Sequence, residues 1–480
     1  MSRMSSALSD LPFDILPLII QYIVRPNHLS QLCLVNKVFH LYATIELYNH
    51  PTIFAWHKGS KENARRLLTT LADSPNLARH VKKLELRDFP KGLAGQDLSE
   101  ICVRAIENCV NLVACTWTRD GSLTSEILEA LSICTQLSSL EINGHSSRDY
   151  DPALLTRFPR LSHLSIIMPS SELIAVLPAC LHRNQNTLVS FNLTCKFTTL
   201  ITDELLKSIS SSLSSLKNFR VAGCTKLTHI GLKSILSTNS VGIKDLALEG
   251  ISTSFDWKEF GEFCSKTQAL EHLESITLGL PAKAFQDRHI ENIENFLRDS
   301  PLRQFHLYVS TRPYVPVLSH DFIQRFMDSH ADRLQRFAIF RLPINHLTLD
   351  LLVRRGIKLE QLFITHGSIT IKYLENTMRI LKQTKTINSL HINYASEDFL
   401  EQEELSPMEP LLQQMFEGPN SGLPSMEEIQ SLAKLLPKTV HQFGLLTKVW
   451  KVERDISNGT VRLGPYDRPD IPDAFLVVRT

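Results

Sequence analysis

A short apolar spacing, apolar-x-x-apolar-x-apolar, returns along most of this chain and constrains its fold more than any other feature. It occurs as Val81-Leu84-Leu86, Leu137-Leu140-Ile142, Leu161-Leu164-Ile166, Leu188-Phe191-Leu193, Leu216-Phe219-Val221 and Ile243-Leu246-Leu248. It continues as Leu273-Ile276-Leu278, Leu302-Phe305-Leu307, Leu334-Phe337-Ile339, Leu359-Leu362-Ile364 and Ile387-Leu390-Ile392, with a weaker copy after Leu112. The starts run from position 81 to 387 with a mean step of about 28 residues. The last apolar pair alternates with polar residues, as in a strand with one buried face. The rest of each step supplies a helical return. In Thr202-Asp203-Glu204-Leu205-Leu206-Lys207-Ser208-Ile209, Thr202 can cap, acids occupy the first turn, and Leu205, Leu206 and Ile209 make an apolar stripe.

One such unit cannot bury its own apolar face, whereas a stack shares a continuous core. The length of 480 residues points the same way, since single cores stop growing at roughly 250–300 residues. The expected fold class is α/β: a solenoid of about 11–12 repeats over residues 81–400, parallel strands concave and helices convex. The copy Leu216-Lys217-Asn218-Phe219-Arg220-Val221-Ala222-Gly223-Cys224-Thr225-Lys226-Leu227-Thr228 resembles the cysteine-containing subtype of the leucine-rich-repeat family. Cys109 and Cys134 each stand three residues before a repeat's first leucine, which suits a small buried side chain at a tight turn.

The first fifty residues follow another pattern. Ile15, Ile19 and Ile23 recur every four residues, with Leu16 and Ile20 beside them. Pro26-Asn27 breaks the run and Asn27 is expected to cap the next helix; Leu29, Leu32 and Val35-Asn36-Lys37-Val38-Phe39 follow, and a third helix is expected from about Leu41 to Leu47. Three short helices make a poor core alone, with apolar residues on more than one face, so the unit is expected to complete itself against a partner. The string Leu11-Pro12, Ile15-Leu16, Ile19, Ile23, Leu32, Val35, Lys37 and Phe39 resembles the F-box, over residues 8–54. Asn36 and Phe39 stand where many members have Cys and Trp. Pro17 would break a helix begun at Pro12, so a short turn to Leu16 and a helix from near Pro17 are expected. The resemblance implies docking on a Skp-type adaptor through Leu11, Pro12, Ile15, Leu16, Ile19, Ile20, Ile23, Leu32, Val35 and Phe39.

Residues 55–80 read as a linker with an amphipathic cap helix around Ala64–Leu71. Residues 401–480 read as an acidic loop and a C-terminal cap, with a helix from Met426 to Leu436 and a hairpin about Asn458-Gly459. Outward strand positions of the late repeats, His306, Tyr308, Arg336, Phe340, Phe363 and His391, are aromatic or cationic, the composition of protein–protein hot spots. They are expected to bind a target protein, unless the C-terminal segment folds over them.

The remaining chemistry is sparse. The 51 basic and 50 acidic residues leave no basic excess for nucleic acid. The early apolar stretch Ile15–Val24, broken by Pro17, Gln21 and Tyr22, is far short of the roughly 20 residues of a membrane helix, and no apolar signal-peptide core precedes Asp10. Nine cysteines without a C-x-x-C pair fit reduced thiols in the cytoplasm or nucleus. No zinc, phosphate-loop, dinucleotide or nucleophile-elbow motif occurs, so no metal, cofactor or catalytic residue is expected. The two resemblances together imply a non-catalytic substrate-recognition subunit of an SCF-type, cullin-based ubiquitin ligase. The alternatives are a non-degradative scaffold, or a leucine-rich inhibitor of an enzyme in which residues 8–54 only cap the solenoid.

Overall fold

The structure is a computed structural model that describes residues 15–90, 96–146, 149–281, 289–311, 318–394, 424–455 and 459–466. Its described strands form one sheet in chain order: β1 (Thr52–Ile53), β2 (Lys83–Leu86), β3 (Ala114–Trp117), β4 (Ser139–Asn143), β5 (His163–Ile167), β6 (Ser190–Thr202), β7 (Asn218–Lys226) and β8 (Asp245–Glu249). It continues with β9 (Ser275–Pro281), β10 (Gln304–Thr311), β11 (Arg336–Pro343), β12 (Gln361–His366), β13 (Ser389–Tyr394), β14 (Gln442–Leu445), β15 (Lys448–Arg454) and β16 (Val461–Pro465). Pairing is parallel from β1 to β14 and antiparallel for β14–β15 and β15–β16. The apolar spacing marks β2 to β13 one for one. Register aligns equivalent residues, as in Leu140↔Leu164 and Phe191↔Phe219, so the inward side chains stack into one core with those of the helices.

Helices return between the strands, and their starts follow the sequence. Thr202 accepts from the Leu205 N–H at 3.3 Å, as expected, and Ser170, Ser319 and Asn345 cap in the same way. Strands sit about 4.8 Å apart while packed helices need about 8–10 Å. A stack of strand–helix units therefore bends with its strands inside. Side chains at the returns tie each repeat to the one before. Asn184, fully buried, accepts from the Leu161 N–H (2.7 Å) and donates to the carbonyls of Phe158 and Cys180 (both 2.9 Å). Thr187 donates to Leu161 O at 2.9 Å, and Thr386 donates to Leu359 O at 2.7 Å.

Both ends depart from expectation. β1 lies within the segment that sequence assigns to the N-terminal unit, yet it pairs with the first repeat strand (Thr52↔Glu85). At the other end β14 adds a parallel strand. Val440, Phe443 and Leu445, all buried, are a further copy of the apolar spacing that the sequence reading passed over. The expected hairpin is present as β15–β16, and the outer edge of β16 does not stay open. Gln430, from helix Met426–Ala433, donates to Val461 O (2.8 Å) and accepts from the Leu463 N–H (3.1 Å), standing in for a neighbouring strand.

The N-terminal unit comprises α1 (Leu16–Ile20), α2 (Pro26–Leu32) and α3 (Lys37–Asn49). Pro17 sits in the first turn of α1, where a missing N–H costs nothing. Two expectations fail. Asn27 does not cap α2: Pro26, with its preset φ, takes the first helical position after Arg25. Asn36 begins α3 earlier than expected, accepting from the Val38 and Phe39 N–H groups at 2.9 Å each. The acidic stretch from Glu397 lies outside the described residues, as do Leu11 and Pro12. Replacing Asn184 with Leu strands one buried N–H and two carbonyls. It should cost about 2–4 kcal/mol in urea-unfolding free energy, several times the effect of removing the hydroxyl of Thr187.

Candidate docking surfaces

Two surfaces carry side chains that the fold itself leaves in unusual company. The first is the N-terminal unit, whose own core is Ile20, Leu29 and Ala43 with Ile23, Leu32, Cys33, Phe39, Tyr42 and Leu47 packed beside it. The expected adaptor set divides accordingly. Leu16 and Ile20 are buried, Ile23, Leu32 and Phe39 are half-buried, and Ile15, Ile19 and Val35 are exposed. Sequence reasoning missed Leu34 and Tyr22, which are more exposed than any described member it named. Leu34 is 87% exposed and Tyr22 80%, with Val35 at 60% and Leu18, Val24 and Leu41 also open. An α-helical period marks which residues share a face, but Leu34 falls in the turn between α2 and α3, where no period applies; its neighbour Val35 belongs to the expected set.

The second surface is the outward face of the sheet. At its start Arg87 donates to Glu85 (2.6 Å) and Glu141 (2.9 Å), and Thr116 donates to Glu141 (3.2 Å). Burial works against ionisation of Glu85, but hydrogen bonds from His50 and Arg87 outweigh it and hold its pKa below the ordinary value. Mid-sheet, Arg220 grips Asp245 with two bonds of 3.1 and 2.7 Å.

The late cluster is largely closed. Tyr308 is buried, donates to Glu249, and lies over Gly279 of the preceding strand, β9, where a Cβ would come within 2.6 Å of its ring. His306 is half-buried and its Nδ1 is hydrogen-bonded to the Thr277 hydroxyl at 3.2 Å; burial, then Arg336 and Arg220, push its pKa down to about 3. The Arg336 guanidinium lies 4.8 Å from the Phe363 ring centre, and Arg341 covers half-buried Phe340. Phe363 is buried beside Ala338, and its ring meets His391 edge-on. His391 is buried and donates Nε2–H to Leu446 O at 2.7 Å, so it carries the Nε2–H tautomer. Gly444 makes room for it: a Cβ there would stand 1.9 Å from Nδ1. The expectation of an exposed cluster is thus corrected for Tyr308, Phe363 and His391, and reduced for His306, Arg336 and Phe340. Strand alternation gives the face a side chain points to, not what the neighbouring strand lays across it.

Sequence reasoning also missed the rim at the C-terminal ends of β5 and β6, where Met168 and Phe197 stand out to solvent. A long interval between the strand motif at Leu193 and the cap at Thr202 was the available signal. All nine cysteines are free thiols, and burial pushes Cys102 and Cys109 up to about 12, which makes them inert packing groups. Among the described residues no set of three or more His, Cys, Asp or Glu is placed to hold a metal, and no helix is long and apolar enough to cross a membrane.

No family model matches the sequence, and no curated protein matches it. The chain is similar to a number of solved structures, these two among them. One is Rad7 in the yeast complex of Rad7 and Elc1, with 16% identity, 75% of this chain and 84% of that chain covered, and a TM-score of 0.47. The other is the leucine-rich repeat-containing protein LegL7 from Legionella pneumophila, with 12% identity, 63% and 89% covered, and a TM-score of 0.37.

The buried histidines give a pH dependence with a definite sign. Desolvation lowers His330, His366 and His391 to about 4 in the folded chain, against about 6.5 unfolded. Their stabilisation is complete above the unfolded value and is lost as pH falls toward 4, because only the unfolded chain takes up the protons. Unfolding free energy should drop by about 1.5–2 kcal/mol per buried histidine between about pH 7 and pH 5, and His391→Gln should flatten the slope. Gly444→Ala should expel His391 and loosen β14, read as faster amide exchange in β14 and β15 with that of β2 to β6 unchanged.

Proposed function

We propose that the chain is a non-catalytic substrate-recognition subunit of an SCF-type ubiquitin ligase. Its N-terminal helices would dock on the Skp-type adaptor, and its solenoid would hold a target protein. The observation that carries the reading is the apolar surface of the N-terminal unit: Leu18, Tyr22, Val24, Leu34, Val35 and Leu41 are exposed around a small core cluster of Ile20, Leu29 and Ala43. A water-exposed patch of this kind marks a surface that completes itself against another protein. The rest follows from positioning. α3 runs directly into β1, and backbone bonds tie this segment to the first repeat strand, with Lys82 N–H donating to Asn49 O (3.0 Å) and Glu85 N–H to Pro51 O (3.1 Å). A partner held by the helices is therefore coupled to the solenoid through an ordered junction. Such a subunit raises the effective concentration of a target lysine at the loaded carrier enzyme and needs no chemistry of its own. On this reading the chain works in the cytoplasm or nucleus, with no cofactor, nucleic acid or membrane.

The β1–β2 pairing also favours the rival in which the helices cap the solenoid, since removing residues 1–55 would remove a strand from the sheet. Deletion cannot separate the two, and point changes can. Leu34→Asp and Val35→Asp alter exposed side chains, so thermal stability should stay within about 0.5 kcal/mol of the parent. Affinity for the purified Skp-type adaptor should fall by about a hundredfold, and cullin should co-purify with the parent chain alone. An adaptor that ignores the parent chain, or binds the variants equally, overturns the reading.

A further inference from the structure

At the rim of the sheet the chain departs from its own repeat. β5 ends at Ile167 and β8 at Glu249, but β6 runs on from Thr194 to Thr202 and β7 to Lys226, pairing again at Thr198↔Cys224 and Thr202↔Lys226 after two shifts of register. The extension lies close against β7. Gly223, at φ +67°, leaves no space for a side chain, since a Cβ would meet Cys195 O at 2.1 Å.

Positive φ recurs along this rim. It falls on Gly223 and Gly250, where a turn is all that is needed, and also on Met168 (φ 54°), Phe197 (φ 59°), Arg341 (φ 58°) and Leu446 (φ 54°). A side chain in the left-handed region costs free energy that a glycine avoids. Two of the four have a use within the chain: Arg341 covers Phe340, and Leu446 is buried in the C-terminal cap. Met168 accepts the Lys196 N–H on its sulfur (3.1 Å), which places it beside the start of the extension, yet it remains 42% exposed. Phe197 is 67% exposed, and Leu200 is open as well. Each apolar group has a lysine at hand: Lys196 precedes Phe197, and Lys226 lies in register with Thr202, two residues from Leu200. Both lysines are exposed and neither is in an ion pair among the described residues. The nearby Asp203 is turned away to Thr228 and Gly231 of the next repeat.

We infer that the β6–β7 extension is a docking point for a protein segment that sets an apolar side chain against Met168, Phe197 and Leu200 and flanks it with carboxylates facing Lys196 and Lys226. Strained, exposed aromatics fit a ligand clamp, and aromatic anchors ringed by charge dominate protein–protein binding energy. The inference rests on the reading that the solenoid holds the target, and it moves the anchor from the closed late cluster to this rim.

The test is a random-peptide display selection on the full-length chain, followed by affinity measurement with the strongest selected peptide. That peptide should pair an aromatic or aliphatic residue with Asp or Glu. Phe197→Gly should weaken it at least about tenfold while leaving the melting temperature unchanged or higher, because glycine relieves the backbone. A packing role for Phe197 would lower it. Lys196→Glu with Lys226→Glu should weaken the acidic peptide and accept one with lysines in place of its acids. Failure to select any peptide, a basic or uncharged consensus, or equal binding by Phe197→Gly overturns the inference. A fall in melting temperature for Phe197→Gly with binding intact in Leu200→Ser does so too. Adaptor binding measured on the same samples separates the two readings: an adaptor that ignores the parent chain while peptide selection succeeds overturns the adaptor role and leaves this site standing, and adaptor binding that is lost in Leu34→Asp and Val35→Asp while no peptide is selected leaves only the adaptor role.

Discussion

Every feature of this molecule depends on one constraint: no single strand–helix unit can remove its own apolar face from water. Burial is supplied by the neighbour. Leu140 is covered because Leu164 lies beside it in register, and Phe191 because Phe219 does. Side chains that bridge the returns, such as Asn184, make this coupling directional by tying backbone groups of one repeat to the next. Stability in such a stack is a sum of neighbour terms, which leaves the two ends as the places that need special provision.

The ends are provided for differently. At the C-terminal end the sheet leaves its parallel habit, turns into the β14–β15–β16 hairpins, and closes its last edge with the side-chain amide of Gln430. At the N-terminal end β1 extends the sheet by two residues and follows directly from α3. The helices beyond are then left with little core and much exposed apolar surface, which is why that end and not the other carries the proposed adaptor contact.

The outward face of the sheet shows how local rules stop short. Alternation correctly turns Tyr308, Phe363 and His391 away from the helices. It is silent on whether water reaches them. Tyr308 lies down because Gly279 offers no side chain, and His391 is sealed by Gly444 and the carbonyl of Leu446, whose chain positions are remote from it. Phe197 shows the converse. A phenylalanine in an extended run reads as core, yet the left-handed backbone at this position turns it outward.

The sequence by itself determined the period, the inward residues of β2 to β13, and the capping of helices such as that begun by Thr202. These depend on residues within one turn or one strand, where spacing is geometry. Even β14 was legible in Val440, Phe443 and Leu445. Tertiary structure alone decided which outward residues stay exposed, that β1 joins the sheet, that Gln430 closes the final edge, and that β6 and β7 outrun the repeat. The physical reason is that exposure and edge pairing belong to the side chain and the strand that arrive next to a residue in space, and those come from distant parts of the chain.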